Sequence, residues 1–129
     1  MNRWTLALSY ALFIATIIIL ADIGLLKKQL GWLHSIPFGD KVGHITLYGM
    51  LSALFINAFK FRVIHLWRTK CYLGALIIAI VAVTEECTQI LFSSRNFDGY
   101  DLTANLIGVL LSSVIMYRFS KTTKAQVAQ

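Results

Sequence analysis

Apolar residues run along this chain in four long blocks. Trp4 to Ala21 (WTLALSYALFIATIIILA) holds 18 residues without a charge, and similar blocks occupy 42–59, 71–92 and 102–119. About 20 mostly apolar residues cross the hydrocarbon core of a bilayer as a helix, with a lower limit near 17. The pattern therefore predicts an all-α fold: four membrane-spanning helices at 4–21, 42–59, 71–92 and 102–119, packed as one integral membrane bundle. The whole chain, 1–129, reads as a single domain. Arg3 gives the first block a short basic lead, as in a secretory signal. The block is long, however, and Asp22 follows it with no small-x-small cleavage site, so it is read as a retained helix.

The connections fall at 22–41, 60–70 and 93–101. The first contains LLKKQLGWLHSIPFG, in which Leu26, Leu30 and Leu33 are spaced by four and three. That fits a short helix at the membrane interface anchored by Trp32, or an extension of the first span. Pro37 and Gly39 then break the chain before the second span. The tail SKTTKAQVAQ is polar and expected to fray.

Composition agrees with a membrane protein. The 129 residues are 57% hydrophobic and 14% charged, against about 25% charged in soluble domains. Mean hydropathy is +0.69. The net charge of +6 comes without a nucleic-acid motif, and no nucleic-acid partner is expected. It follows the bias of Lys and Arg toward cytoplasmic loops. The N-terminus, KFRVIHLWRTK and the C-terminal end hold eight basic residues and no acidic one. The other two connections, with the helix ends that flank them, hold four basic and all six acidic residues. Both termini and the 60–70 connection are thus expected in the cytoplasm, in the plasma or inner membrane. KFRVIHLWRTK also suits anionic headgroups, but topology suffices to explain it. Cys71 and Cys87, expected on one helix, would lie roughly 24 Å apart at about 1.5 Å per residue, so no disulfide is expected.

With that orientation, polar residues at several helix ends share one extracytoplasmic mouth. Asp40 reads as an N-cap. Lys41, His44 and Tyr48 follow at spacings of three and four, on one helix face. Glu85 and Glu86 lie inside the third span, where an ionisable group costs up to about 2.5–3.5 kcal/mol and marks a functional site by default. Gln89 shares their face. Arg95 is the basic residue of SSRNFDG, suited to pairing with Glu86 or Asp101 or to holding an anionic ligand group. Asp98 reads as a turn residue before Gly99, and Asp101 as the N-cap of the fourth span. Asn105 and Gly108 share a face with it, and Gly108 with Ser112 forms a small-xxx-small packing pair.

Taken together, these residues resemble the VanZ-like family. Glu86-x-x-Gln89, Arg95, Phe97-Asp98 and Asp101-x-x-x-Asn105-x-x-Gly108 match one of its motifs, and Asp40-Lys41-x-x-His44-x-x-x-Tyr48 the other. The likeness covers roughly residues 38–117. Ser93-Ser94 stands where a Pro-Gly turn is common in that family. The resemblance implies a small integral membrane protein. The family's namesake is associated with low-level resistance to teicoplanin, a lipid-bearing glycopeptide. The resemblance names no reaction.

Three functions are open on these residues. The first is binding of a lipid headgroup, a lipid-linked cell-wall precursor or a glycopeptide by Asp40, Lys41, His44, Tyr48, Glu86, Gln89, Arg95, Asp101 and Asn105. The second is a membrane hydrolase or transferase with His44, Glu86 and Asp101 as catalytic candidates. No HExxH, GxSxG or phosphate loop supports a particular reaction. The third, a proton or ion pathway, lacks a continuous polar route, since Asn57 is the one strongly polar residue near the cytoplasmic half of a span. No cofactor is expected, and a single histidine is a thin basis for a metal.

Overall fold

The computed structural model describes residues 2–26, 37–91 and 97–127. Within them lie α1 (Arg3–Asp22), α2 (Gly39–Ala58), β1 (Val63–Leu66), β2 (Thr69–Tyr72), α3 (Leu73–Thr88), a 3-10 turn (Gln89–Leu91) and α4 (Gly99–Val127). The chain is mostly helical, and α1, α3 with its 3-10 turn, and α4 are long and apolar enough to cross a membrane. The 16-residue α3 is extended by the 3-10 turn. At about 1.5 Å and 2.0 Å per residue the two together rise roughly 30 Å, the thickness of a hydrocarbon core.

Helix α2 is the hub and packs on each of the other three helices, while α3 also packs on α4. Tyr48, Leu51 and Ile56 of α2 meet Ile78 and Ala82 of α3, Val109 of α4 and Ile14 of α1 in the core. Two close approaches shape it. Gly74 lies against the α2 backbone, where an added Cβ would stand 2.5 Å from the Ile56 nitrogen. Gly49 and Gly108 face each other across α2 and α4. Small residues at such crossings let helix backbones touch.

The outside of the bundle is greasy. Leu8, Leu12 and Phe13 of α1, Ile80 and Ile90, and Leu110, Val114 and Ile115 of α4 are exposed. Glu86, Gln89, Ser52 and Asn105 are buried. A water-soluble bundle has the opposite arrangement, so the distribution suits a lipid surround.

Several expectations change at the helix ends. The second helix begins three residues early, at Gly39. Its cap position is Phe38, in the left-handed region at φ 60° with no side-chain hydrogen bond. Asp40 is therefore in the first turn and does not cap. The fourth helix also begins three residues early, at Gly99. Asp98 takes the capping role: its Oδ1 accepts from the Tyr100 amide at 2.8 Å, and its carbonyl accepts from the amides of Asp101 and Leu102. Asp101 again lies in the first turn. The polar tail does not fray at once, because α4 continues to Val127.

The 60–70 connection and the start of the expected third span fold as an antiparallel hairpin, with Leu66 opposite Thr69 and Val63 opposite Tyr72. Val63, Ile64, Thr69 and Tyr72 favour extended backbone. Trp67 supplies a positive φ (56°) at the first position of the two-residue turn, as a II′-type hairpin turn requires. Cys71 consequently sits in β2, not on the helix that carries Cys87, and both thiols are free. The expected helix around Leu30, Leu33 and Trp32 lies outside the described residues.

The two ends of the bundle differ in charge. Arg3 Nη1 donates to the Asn57 carbonyl at 3.5 Å. The Trp4 ring packs edge-on against Phe55 and Phe59. A groove of about 1090 Å³ joins the hairpin to the last turns of the fourth span, its apolar walls including Phe61, Tyr72, Val109 and Val114, with Lys70 and Lys121. The N-terminus, the hairpin and the later part of α4 thus share the basic end. The ionisable cluster around Asp40 and Asp101 occupies the other.

Candidate functional site

The cluster forms where the first turns of α2 and α4 lie side by side. Backbone contact at Gly49 and Gly108 brings the helices close enough for short polar side chains to meet. Residues on the same faces, one to two turns toward the acidic end, then touch. His44 Nδ1 lies 2.9 Å from Asn105 Oδ1.

Lys41 sits among three carboxylates. It donates to Asp98 Oδ2 at 3.0 Å and to Asp40 Oδ2 at 3.4 Å, and it pairs with Asp101 Oδ1. Desolvation opposes the charge on Lys41, but hydrogen bonds to Asp101 and Asp98 outweigh it and hold the ammonium's pKa above its ordinary value. The Lys41 hydrogen bond, aided by the Tyr100 amide, holds Asp98 below the usual carboxylate range against the effect of burial. Opposite charges within a few ångströms favour the charged forms of both. Lys41 is therefore held as a cation by carboxylates of its own chain.

The two aspartates are shared in an ordered way. Each gives one oxygen to Lys41 and turns the other toward His44. His44 Nε2 lies 3.6 Å from Asp101 Oδ2 and 3.9 Å from Asp40 Oδ1. Asp40, His44 and Asp101 each bring one potential ligand atom within 4.8 Å of the others.

The glutamates divide differently from their sequence pattern. Gln89 Nε2 donates to Glu85 Oε1 at 2.7 Å, and the Tyr48 hydroxyl donates to Glu85 Oε2 at 3.4 Å. Glu85, which the family motif passes over, is thus the residue tied to Tyr48 and Gln89. Its signal in the sequence was the i, i+4 spacing to Gln89. Glu86 is fully buried. It lies near the backbone of Asp98 and interacts with the charges of Asp101 and His44. Neither of its oxygens makes a hydrogen bond among the described residues, and Asn105 Nδ2 is likewise buried and unpartnered. Groups of this kind are rare in folded proteins and call for a partner.

The site thus unites Asp40, Lys41, His44, Asp101 and Asn105, with Tyr48, Glu85, Gln89 and Glu86 on its third wall. Asp98 was read as a turn residue but both caps α4 and holds Lys41. Arg95 lies outside the described residues, as do Ser93 and Ser94. The described residues of the site hold five carboxylates and one lysine, which three of them contact. The site can accept hydrogen bonds, bind a cation and orient an imidazole.

A search of curated proteins and a search of solved structures each found no match. The profile of the VanZ/LLP1 family matches residues 4–120. That match takes in α1, the hairpin, both halves of the polar site and nearly all of the fourth span, and the chain belongs to the VanZ/LLP1 family.

Proposed function

We propose that this is a multi-pass protein of the plasma or inner membrane whose acidic end is an extracytoplasmic binding site for a membrane-anchored envelope ligand. The ligand class is a lipid headgroup, a lipid-linked cell-wall precursor or a lipid-bearing glycopeptide, and the last would link the protein to teicoplanin tolerance. One observation carries the reading. Glu86 and Asn105 Nδ2, buried acceptors and a donor without hydrogen-bond partners among the described residues, lie at the polar mouth of a bundle with an apolar exterior. A ligand with hydroxyl or amino groups would satisfy them, and its acyl chain would remain in the bilayer beside α3 and α4. The basic end, with Arg3 and the hairpin, supports a cytoplasmic placement of both termini.

The observation that favours the enzyme reading is His44, held between Asn105 and Asp101. An imidazole oriented on one nitrogen and facing a carboxylate on the other is suited to general base work. Glu86 would then serve as the acid.

The test uses purified protein in nanodiscs with a phospholipid, a lipid-linked precursor and a lipoglycopeptide as separate probes. Saturable binding of one probe, weakened at least tenfold by Glu86→Gln and by Asp101→Asn, is expected. Equal binding of a glycopeptide lacking its acyl chain would count against a membrane-anchored ligand. Turnover of any probe that His44→Ala abolishes while binding survives would replace the binding reading with the enzyme.

A further inference from the structure

We infer that Asp40, His44 and Asp101 form a site for one divalent cation of the zinc or manganese class. The inference goes beyond the ligand reading and does not require it.

The argument begins with the histidine. Asn105 Oδ1 is an acceptor, so a neutral His44 ring, the form that ligates metals, carries its proton on Nδ1 across the 2.9 Å contact and its lone pair on Nε2. That lone pair faces Asp101 Oδ2 at 3.6 Å and Asp40 Oδ1 at 3.9 Å. Three acceptors pointed at one another repel unless a positive charge lies between them. Metal-bound histidines commonly fix their tautomer through a hydrogen bond from the second nitrogen, the role Asn105 takes here.

The spacing suits a metal. Tetrahedral zinc holds nitrogen and oxygen ligands at about 2.0–2.2 Å, which sets neighbouring ligand atoms roughly 3.3–3.6 Å apart. The 3.6 Å and 3.9 Å separations from Nε2 lie at or near this range, and the two carboxylate oxygens, which are within 4.8 Å of each other, would draw together on binding. Lys41 prepares the site without filling it. It takes Asp40 Oδ2 and Asp101 Oδ1, which orients the opposite oxygens toward His44.

A second observation stands apart from this triad. Glu86 is wholly buried, neither oxygen makes a hydrogen bond among the described residues, and it interacts with the charges of Asp101 and His44. The described residues of the cluster hold one lysine against five carboxylates, and charge that is buried without compensation is costly. A divalent ion beside Asp101 compensates it. One imidazole with carboxylates favours zinc or manganese over the all-oxygen sites typical of magnesium and calcium. In the sequence alone, one histidine is a thin basis for a metal.

The experiment uses the full chain, purified without a histidine tag, stripped with chelator and titrated with Zn²⁺ and with Mn²⁺. Calorimetry is expected to show one equivalent bound. His44→Ala and Asp101→Asn should each weaken it at least tenfold, while Thr103→Ala, on the exposed side of α4, stays within threefold. Spectroscopy of Mn²⁺ bound to the wild-type protein should show coupling to one imidazole nitrogen, a readout that does not depend on a variant folding. Absence of stoichiometric binding, a nitrogen count other than one, or unchanged affinity in folded His44→Ala protein would overturn the site.

Discussion

Gly49 and Gly108 meet backbone to backbone where α2 crosses α4. A Cβ on Gly49 would stand 3.1 Å from the Gly108 carbonyl oxygen, and one on Gly108 only 2.3 Å from the Ile45 carbonyl oxygen. Real side chains do not reach the second distance, so a methyl there must push the helices apart. Gly108→Ala is expected to cost about 1–3 kcal/mol, the usual range for overpacking, and Gly49→Ala less. Since the crossing lies one turn from Asn105, Gly108→Ala should also weaken Zn²⁺ binding. Gly99→Ala, with its nearest neighbour 3.9 Å away, is the control. Thermal unfolding in detergent reads all three.

Lys41 organises the acidic end, and its loss should be felt there. Lys41→Met leaves Asp101, whose side chain is 9% exposed, without its cation. Breaking a buried pair costs about 3–5 kcal/mol. Because Lys41 itself is partly exposed, about 1–3 kcal/mol is expected here. Lys41→Arg should recover less than half of that loss, because a planar fork does not reproduce three contacts made by a compact ammonium.

The same pairing predicts an acid limb in stability. Asp98 has a lowered pKa in the folded protein. Its contribution is present above the ordinary unfolded value of about 3.9 and disappears as pH falls through the lower folded value. Lys41 is shifted upward, so its contribution holds at all pH below about 10.4 and disappears only above it. In metal-free buffer, Asp98→Asn should flatten the unfolding curve below about pH 4 and also shrink the alkaline limb, because Asp98 is one of the two carboxylates that raise the Lys41 pKa. An acid limb of equal depth in the variant would assign it to other carboxylates.

Glu86 should separate stability from function. A buried carboxylate with no hydrogen-bond partner among the described residues disfavours folding, and a neutral amide of the same shape removes the cost of burying its charge. Glu86→Gln is expected to melt at or above the wild-type temperature while losing ligand binding at least tenfold. A marked fall in melting temperature would make Glu86 a structural residue.

The helices were legible because long apolar runs leave few alternatives, and the site's two halves were legible because Lys41, His44 and Tyr48 keep helical spacing. What escaped was local. Nothing in KFRVIHLWRTK outweighs its charge pattern, so β1 and β2 were hidden behind a topology signal. Asp40 and Asp101 looked like caps because polar residues before apolar runs usually are. The helices instead start at Gly39 and Gly99, which turns both carboxylates from the helix ends toward each other. Glu85 meets Gln89 at the i, i+4 spacing already visible in the sequence, while the family motif directed attention to Glu86.

The 29 residues of α4 rise about 43 Å, against about 30 Å of hydrocarbon. From Asp101 to Val127 the rise is about 39 Å, so in a bilayer with Asp101 at one surface the last one to two turns would have no room. They would form a stalk that reaches about 9 Å beyond the opposite surface. A fused reporter or affinity handle at that end would stand clear of the bundle, far from the chemistry, and could be added without disturbing it.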